Sequence, residues 1–200
     1  MVNRLLTIGL TLMFCICGGN SAAQNIARTT GAVVAYQCYD DGLPEGSVSL
    51  SISAAKAAVR AGEDATEAAE LAFVDYGAMK YYKMLTGGSP VTVVYGFRYL
   101  PGGIPQTETI RGWECKTVDV KYRGDVYRLW YTDNLGFNGT AWPELGVPDG
   151  LVLRVERNGR KIAEAVSTNQ AGSGDELFPS SWGEIVSGCK YKKIRKERLD

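Results

Sequence analysis

Histidine is absent from the 200-residue sequence, and its absence narrows the chemistry open to the protein. Serine and cysteine hydrolases of the triad type use an imidazole as general base, and the commonest metal sites use imidazole nitrogen. The cysteines at 38, 115 and 189 are spaced too widely for a zinc knuckle. The sequence therefore argues against triad catalysis and predicts neither a metal site nor a cofactor.

An excess of charge of one sign is also lacking, because 22 Lys and Arg residues balance 22 Asp and Glu residues. The exception is the segment 190–200, which carries two acidic residues and six basic ones: Lys190, Lys192, Lys193, Arg195, Lys196 and Arg198. No basic face accompanies this segment, so nucleic acid is not expected as a partner. We interpret residues 190–200 as a basic tail or a truncated linker.

A long apolar run is missing too. The run from Leu5 to Cys17 is too short to span a bilayer comfortably, and it follows Arg4 and precedes small and polar residues. Ser21 and Ala23 suit a leader peptidase, which predicts a signal peptide over 1–23 and a periplasmic or secreted protein. The residues before Cys15 and Cys17 are bulky, so lipidation, and with it membrane association, is the minor alternative.

Few cysteines remain once the predicted leader is removed. Cys38, Cys115 and Cys189 are left, and an oxidising compartment favours one disulfide with one free thiol. The sequence leaves all three pairings open.

What the sequence does have is alternation of apolar and polar residues with period two, which is typical of half-buried strands. It is found in residues 48–52, 91–99, 118–122 and 151–155. Glycine-rich turns separate these stretches, and Asn158-Gly159 is the sharpest hairpin signal because both residues adopt positive φ readily. The pattern predicts one mainly β domain over 24–189, an antiparallel meander with one face wet and at most one short helix.

The stretch from Ala54 to Leu71 is ambiguous. Its alanine and glutamate content favours a helix, which we place near Asp64 to Leu71. In context, residues 57–61 could instead return as the second arm of a hairpin.

The longest irregular stretch, Asp133 to Gly150, is the candidate binding loop because such long loops are usually functional or specially packed. The alternative is that its aromatic residues fold back and cap the open end of the sheet. Asn138 begins an Asn-Gly-Thr sequon that we interpret as turn chemistry. The candidate ligand-binding residues are Trp142, Phe137, Asn138, Tyr131 and Trp130. The carboxylates of Glu114 and Asp119 show no paired arrangement, so no catalytic residue is predicted.

Several ordered motifs resemble known envelope proteins. They are Gly112-Trp113-Glu114-Cys115, Leu129-Trp130-Tyr131-Thr132, residues 146–153 and Arg157-Asn158-Gly159. This series resembles the GLPGLI-type proteins of Bacteroidetes. It is more similar still to the N-terminal bowl-like domain of bacterial peptide-N-glycosidase F-like amidases. The features that carry the second likeness are Leu135-Gly136, Gly139-Thr140, residues 150–154 and Phe73-Val74-Asp75-Tyr76.

The resemblance implies a curved antiparallel sheet, a bowl or half-barrel, with a non-catalytic accessory role. The implied partners are a glycan or glycoprotein, or an amidase catalytic domain. The amidase's catalytic carboxylates have no counterparts before Asp200, so we do not expect an enzyme. The alternative is a standalone GLPGLI-type protein that engages a protein or apolar ligand through its concave sheet or edge strand, although residues 146–150 replace that family's tighter turn.

Overall fold

The computed structural model describes residues 31–53, 55–61, 70–101, 106–171 and 177–199. The predicted signal peptide and its cleavage site lie outside these ranges. Within them, no helix is both long and apolar enough to cross a membrane.

Twelve strands in the described ranges form one sheet. In chain order they are β1 (Gly31–Asp40), β2 (Leu43–Ser53), β3 (Lys56–Ala61), β4 (Glu70–Asp75), β5 (Lys80–Leu85), β6 (Val91–Gly96), β7 (Thr107–Ile110), β8 (Trp113–Tyr122), β9 (Asp125–Thr132), β10 (Leu151–Arg157), β11 (Arg160–Ala171) and β12 (Glu184–Ile185). A 3₁₀ turn, Pro143–Leu145, and one α-helix, α1 (Gly188–Leu199), complete the described elements.

The sheet consists of two meanders that share a central seam. Its order is β12-β6-β5-β4-β3-β2-β1-β11-β10-β9-β8-β7, so β1 pairs with its hairpin partner β2 on one side and with β11 on the other. Among the pairings between these strands of the described ranges, only the short β6–β12 pairing is parallel. The predicted fold class, a mainly β, curved and antiparallel meander sheet, is confirmed.

Two-residue turns with positive φ connect several neighbouring strands. Asn158 and Gly159 have φ of 52° and 80°, as the hairpin prediction requires. The Asn158 side chain also accepts a hydrogen bond from the Val126 amide at 2.9 Å and donates one to Asp125 at 2.7 Å. The same turn geometry recurs at Asp41-Gly42, Arg111-Gly112 and Arg123-Gly124.

The ambiguous stretch is at least partly a hairpin. Strand β3 pairs antiparallel with β2, placing Val59 opposite Leu50. Glu70 and Leu71 lie in strand β4, so the helix prediction is wrong for these two residues; residues 62–69 lie outside the described ranges. Cross-strand burial of Ala57 and Val59 in the core outweighs the helix propensity of the alanines.

The segment expected to be a basic tail forms helix α1 from Gly188 to Leu199. Its Tyr191 is 2% exposed and packs with Leu85, Val91 and Val93 of strands β5 and β6. The basic residues are therefore carried on a helix that is anchored to the sheet.

The expectation of one wet face fails over β4 and β5. Phe73 and Tyr82 are covered by the segment 177–182, where Trp182 stacks on Tyr82 at 4.4 Å and meets Phe73 edge-on at 5.4 Å. Other buried side chains of these strands, Val74 and Tyr81, belong to the larger core cluster. Both sides of the sheet are packed here because an aromatic segment distant in sequence returns to cover it.

The expected disulfide is not formed. Cys38, Cys115 and Cys189 are all free thiols. They lie on different elements, β1, β8 and α1. Cys115 is fully buried in one core cluster, whereas Cys38 packs against another and Cys189 is exposed. The cysteine count predicted one disulfide, but the fold places the three cysteines on separate elements, where each is a free thiol.

Candidate functional site: the hollow beside Phe137

The loop between β9 and β10 is hydrogen-bonded to the sheet instead of projecting from it. The Gly139 amide donates to the Gly150 carbonyl at 3.1 Å, which closes the loop on itself. The Leu100 amide donates to the Val147 carbonyl at 2.9 Å, which ties the loop to the chain that follows β6. The predicted binding loop is thus a rigid part of the domain.

Two glycines permit the close approach of the loop to its surroundings. Gly146 has φ of 100°, and a Cβ there would lie 2.8 Å from a methyl group of Leu100. A Cβ on Gly139 would lie 3.0 Å from both Ile52 Cδ1 and the Tyr76 hydroxyl. A larger residue at either position would force these neighbours to shift.

Trp142, the most prominent candidate from the sequence, is largely a packing residue. Its ring meets Tyr36 edge-on, with centroids 5.4 Å apart. Tyr36 is fully buried, burial raises the pKa of its phenol, and its hydroxyl donates to the Val152 carbonyl at 2.6 Å. Trp142 therefore joins the loop to the core, as the capping alternative predicted.

Trp130 and Tyr131 are both buried, at 6% and 7% exposure, and belong to two different core clusters. Trp130 donates from Nε1 to Glu156 at 2.9 Å, and the Arg154 guanidinium lies 5.7 Å from its ring centroid. Neither residue lines the cavities of the loop. These two candidates therefore belong to the core on which the loop packs and not to the cavity walls.

Phe137 and Asn138 lie at a cavity of about 370 Å³. Its other lining residues come from the chain around β3, β4 and β6 and from the loop itself: Ala55, Tyr76, Gly77, Tyr99 and Gly136. Asn138 is exposed, and its amide donates to Asp149 at 3.2 Å. This cavity therefore offers an aromatic ring beside a held, solvent-facing amide.

Two tyrosines also line this cavity, and their hydroxyl groups differ in surroundings. The Tyr99 hydroxyl donates to the Tyr76 carbonyl at 3.0 Å. The Tyr76 hydroxyl is buried, which raises its pKa; the nearby Thr140 amide opposes this increase but makes no hydrogen bond of good geometry with it. Among the described residues this phenol is thus the buried side-chain polar group that lacks a partner.

Phe137 also lines a second cavity of about 290 Å³. It is mainly apolar and is lined by Ala32, Val34, Trp113, Leu135, Phe137, Leu151, Thr168 and Asn169. Apolar walls with a few polar groups are typical of small-ligand sites. We call the two cavities together the Phe137 hollow.

Carboxylates near this half of the sheet are engaged in ion pairs. Asp119 receives two hydrogen bonds from Arg128, at 2.8 and 3.0 Å, and these lower the pKa of its carboxyl group. Arg154 binds Glu164 at 2.6 Å and Glu108 at 2.9 Å. Within the described ranges, no three metal-ligating side chains form a cluster.

Comparison with known proteins gives this hollow a family context. Residues 102–177 match the family model described as "N-glycanase peptide, N-terminal domain". The predicted resemblance to the N-terminal domain of peptide-N-glycosidase F-like amidases is confirmed. No curated protein sequence matches the chain. The matched segment contains the whole binding loop and Trp113.

Two solved structures of PNGF-II, in C2 and P21 crystal forms, share the fold. Their TM-scores are 0.69 and 0.68, with 17% sequence identity in each case. The alignments cover 84% and 82% of this chain but 33% of each PNGF-II chain. The present chain thus spans about a third of the length of the structures that it resembles.

Sequence reasoning missed three aromatic residues of the hollow. Tyr76 and Tyr99 lie near strand ends, where nothing in the local pattern assigns them to the loop. Trp113 was noted only as part of a motif. One signal could have identified Trp113. It belongs, like the loop, to the segment that resembles the amidase domain, and in the fold Trp113 and the loop line the same cavity.

Proposed function

We propose that this chain is an exported, non-catalytic accessory domain that recognises N-linked glycan or glycoprotein for a peptide-N-glycosidase-type amidase. The observation that carries the proposal is the Phe137 hollow, in which one aromatic ring of a hydrogen-bonded loop lines two cavities. The family match, which includes that loop, supports the glycan context. Export is proposed from the leader-like sequence alone.

The hollow has the chemistry that a sugar needs. The faces of Phe137 and Trp113 can contact the C–H face of a pyranose ring, since aromatic side chains provide a large apolar surface. The Asn138 amide and the exposed Tyr99 hydroxyl can exchange hydrogen bonds with sugar hydroxyl groups. A largely preformed loop also reduces the entropy lost on binding.

A glycopeptide with a single Asn-linked chitobiose unit tests the proposal, with the same peptide lacking the sugar as reference. Calorimetry with the purified chain should detect binding of the glycopeptide but not of the bare peptide. Phe137→Ala should weaken binding by about tenfold or more, because it removes the ring shared by both cavities.

Tyr39→Ala is the matched control. Tyr39 is also a half-buried aromatic residue, but it lines neither cavity. It should leave glycopeptide affinity unchanged. Equal affinity for the two peptides, or equal losses in both variants, would contradict the proposed site.

Trp142→Ala is a poor test of binding because the ring packs against Tyr36. Removing a large aromatic side chain from a packed position costs about 3 kcal/mol or more of stability. A loss of binding in that variant would therefore report loosening of the loop.

The open edge of the sheet offers weaker support for the alternative of pairing with a partner protein. Strand β7 has four residues, and its Glu108 is bound to Arg154. Short, charged edges are typical of strands protected against edge pairing. We therefore place recognition at the Phe137 hollow.

A further inference from the structure

A separate cavity of about 440 Å³ lies where distant parts of the fold meet. Strands β5 and β6, the β8–β9 turn, the 3₁₀ turn and helix α1 all contribute to it. It shares no lining residue with the Phe137 hollow. Because four of its lining residues are tyrosines, Tyr81, Tyr95, Tyr122 and Tyr191, we call it the tyrosine cavity.

The tyrosines provide both a support and an accessible surface. Tyr81 and Tyr95 are cross-strand partners whose rings stack at 5.0 Å. Tyr81 and Tyr191 are buried, whereas Tyr95 and Tyr122 are half-buried. The rings of Tyr95 and Tyr122 are therefore partly accessible and held by packed neighbours.

One of the two carboxylates of the cavity is already neutralised. Glu70 binds Arg195 at 2.6 Å and lies 3.9 Å from Lys83. The Tyr191 hydroxyl lies 3.3 Å from the same carboxylate. Glu70 thus serves to fasten helix α1 to β4 and β5.

Two basic side chains of the cavity, Arg123 and Lys192, differ from Glu70 in their surroundings. In the part of the chain that the structure describes, neither Arg123 nor Lys192 forms an ion pair, and both are exposed. The Arg123 guanidinium lies 5.0 Å from the Tyr122 ring centroid. Burial raises the pKa of Tyr81, Glu144 raises it further and Arg123 opposes the increase, so both charges act on one hydroxyl group.

We propose that the tyrosine cavity binds an acidic saccharide, a sugar that carries a carboxylate. Arg123 and Lys192 would bind the acid group, the rings of Tyr95 and Tyr122 would contact the sugar ring, and Glu144 would accept hydrogen bonds from sugar hydroxyls. An acidic peptide such as an oligoglutamate fits less well, because it has no sugar ring for Tyr95 and Tyr122 to contact. This site goes beyond the proposed function and does not depend on it.

Calorimetry with trigalacturonate and its methyl ester tests this site, because the ester keeps the sugar and removes the charge. The acid should bind more tightly than the ester, and its affinity should fall as salt is raised. Arg123→Gln and Lys192→Gln should each weaken binding of the acid by about tenfold, the effect of losing one charge-assisted hydrogen bond.

Lys121→Gln and Lys193→Gln are matched controls. They remove the same charge from β8 and α1, at exposed residues outside the cavity. Both controls, and Phe137→Ala, should leave binding of the acid unchanged, and the four Gln variants should keep the parent unfolding midpoint. The proposal is overturned by absence of binding, by equal binding of acid and ester, by equal losses in the controls, or by tighter binding of an oligoglutamate.

Discussion

The three free thiols differ in their surroundings, and these differences determine their reactivity. Burial raises the pKa of Cys115 to about 11, and burial followed by the Glu45 charge raises that of Cys38. Cys189 is exposed on helix α1. The thiolate is the reactive form, so a raised pKa slows alkylation at neutral pH.

We predict that iodoacetamide modifies Cys189 first, Cys38 more slowly and Cys115 only after unfolding. At pH 8 a thiol with a pKa near 11 is roughly one-thousandth ionised, so both burial and the small thiolate fraction protect native Cys115. Peptide mass spectrometry after timed quenching measures each rate, with the denatured chain as control. A disulfide between any two of these residues, or rapid labelling of native Cys115, would contradict this account.

For single residues, the sequence predicted poorly which side chains of the candidate site line a cavity and which pack into the core. Of the five candidate residues, Phe137 and Asn138 line a cavity, whereas Trp142, Trp130 and Tyr131 pack into the protein. The loop sequence shows aromatic side chains but not their direction. That direction depends on Tyr36 and Glu156, which lie on other strands.

Among the elements, β12 and helix α1 depend on one glycine. Gly183 has φ of 64°, and a Cβ there would lie 2.1 Å from the Pro90 carbonyl oxygen. This close contact lets the Glu184 amide donate to the same oxygen at 3.0 Å. Trp182 precedes this glycine, and its carbonyl accepts a hydrogen bond from the Thr92 hydroxyl at 2.6 Å.

Gly183→Ala should therefore detach β12 and loosen the helix that follows it. Amide hydrogen exchange over residues 184–199 should accelerate by about tenfold or more, while β8 and β9 keep their protection. Gly88→Ala is the control, since Gly88 has φ of 86° but open space around it, so only the left-handed backbone is penalised, by about 1–2 kcal/mol. Equal exchange in the two variants would rule out the clash.

Elements whose signals are local were predicted well. Alternation located β2, β6, β8 and β10, and Asn158-Gly159 located a hairpin, because strand faces and turns are encoded by adjacent residues. Helix α1 was missed because its charged sequence carries little apolar periodicity. Its place is set by Tyr191, which packs on strands about a hundred residues earlier.

For the whole molecule, the decisive contact is the seam at β1. The pairing of Gly31 with Ala171 and of Tyr36 with Ala165 joins the two meanders into one curved sheet. No local pattern encodes this pairing, since it joins residues more than a hundred positions apart. The curvature came from the family resemblance, and the cavities follow from it because their lining residues come from both meanders.

The central claim is that the Phe137 hollow recognises an Asn-linked sugar, and a nuclear magnetic resonance titration of the chain with the chitobiose glycopeptide tests it most directly. We expect the backbone amide shifts to change at Trp113, Tyr99 and residues 136–138, and to stay constant when the sugar-free peptide is added. Shifts confined to edge strand β7, or identical shifts with both peptides, would contradict the claim.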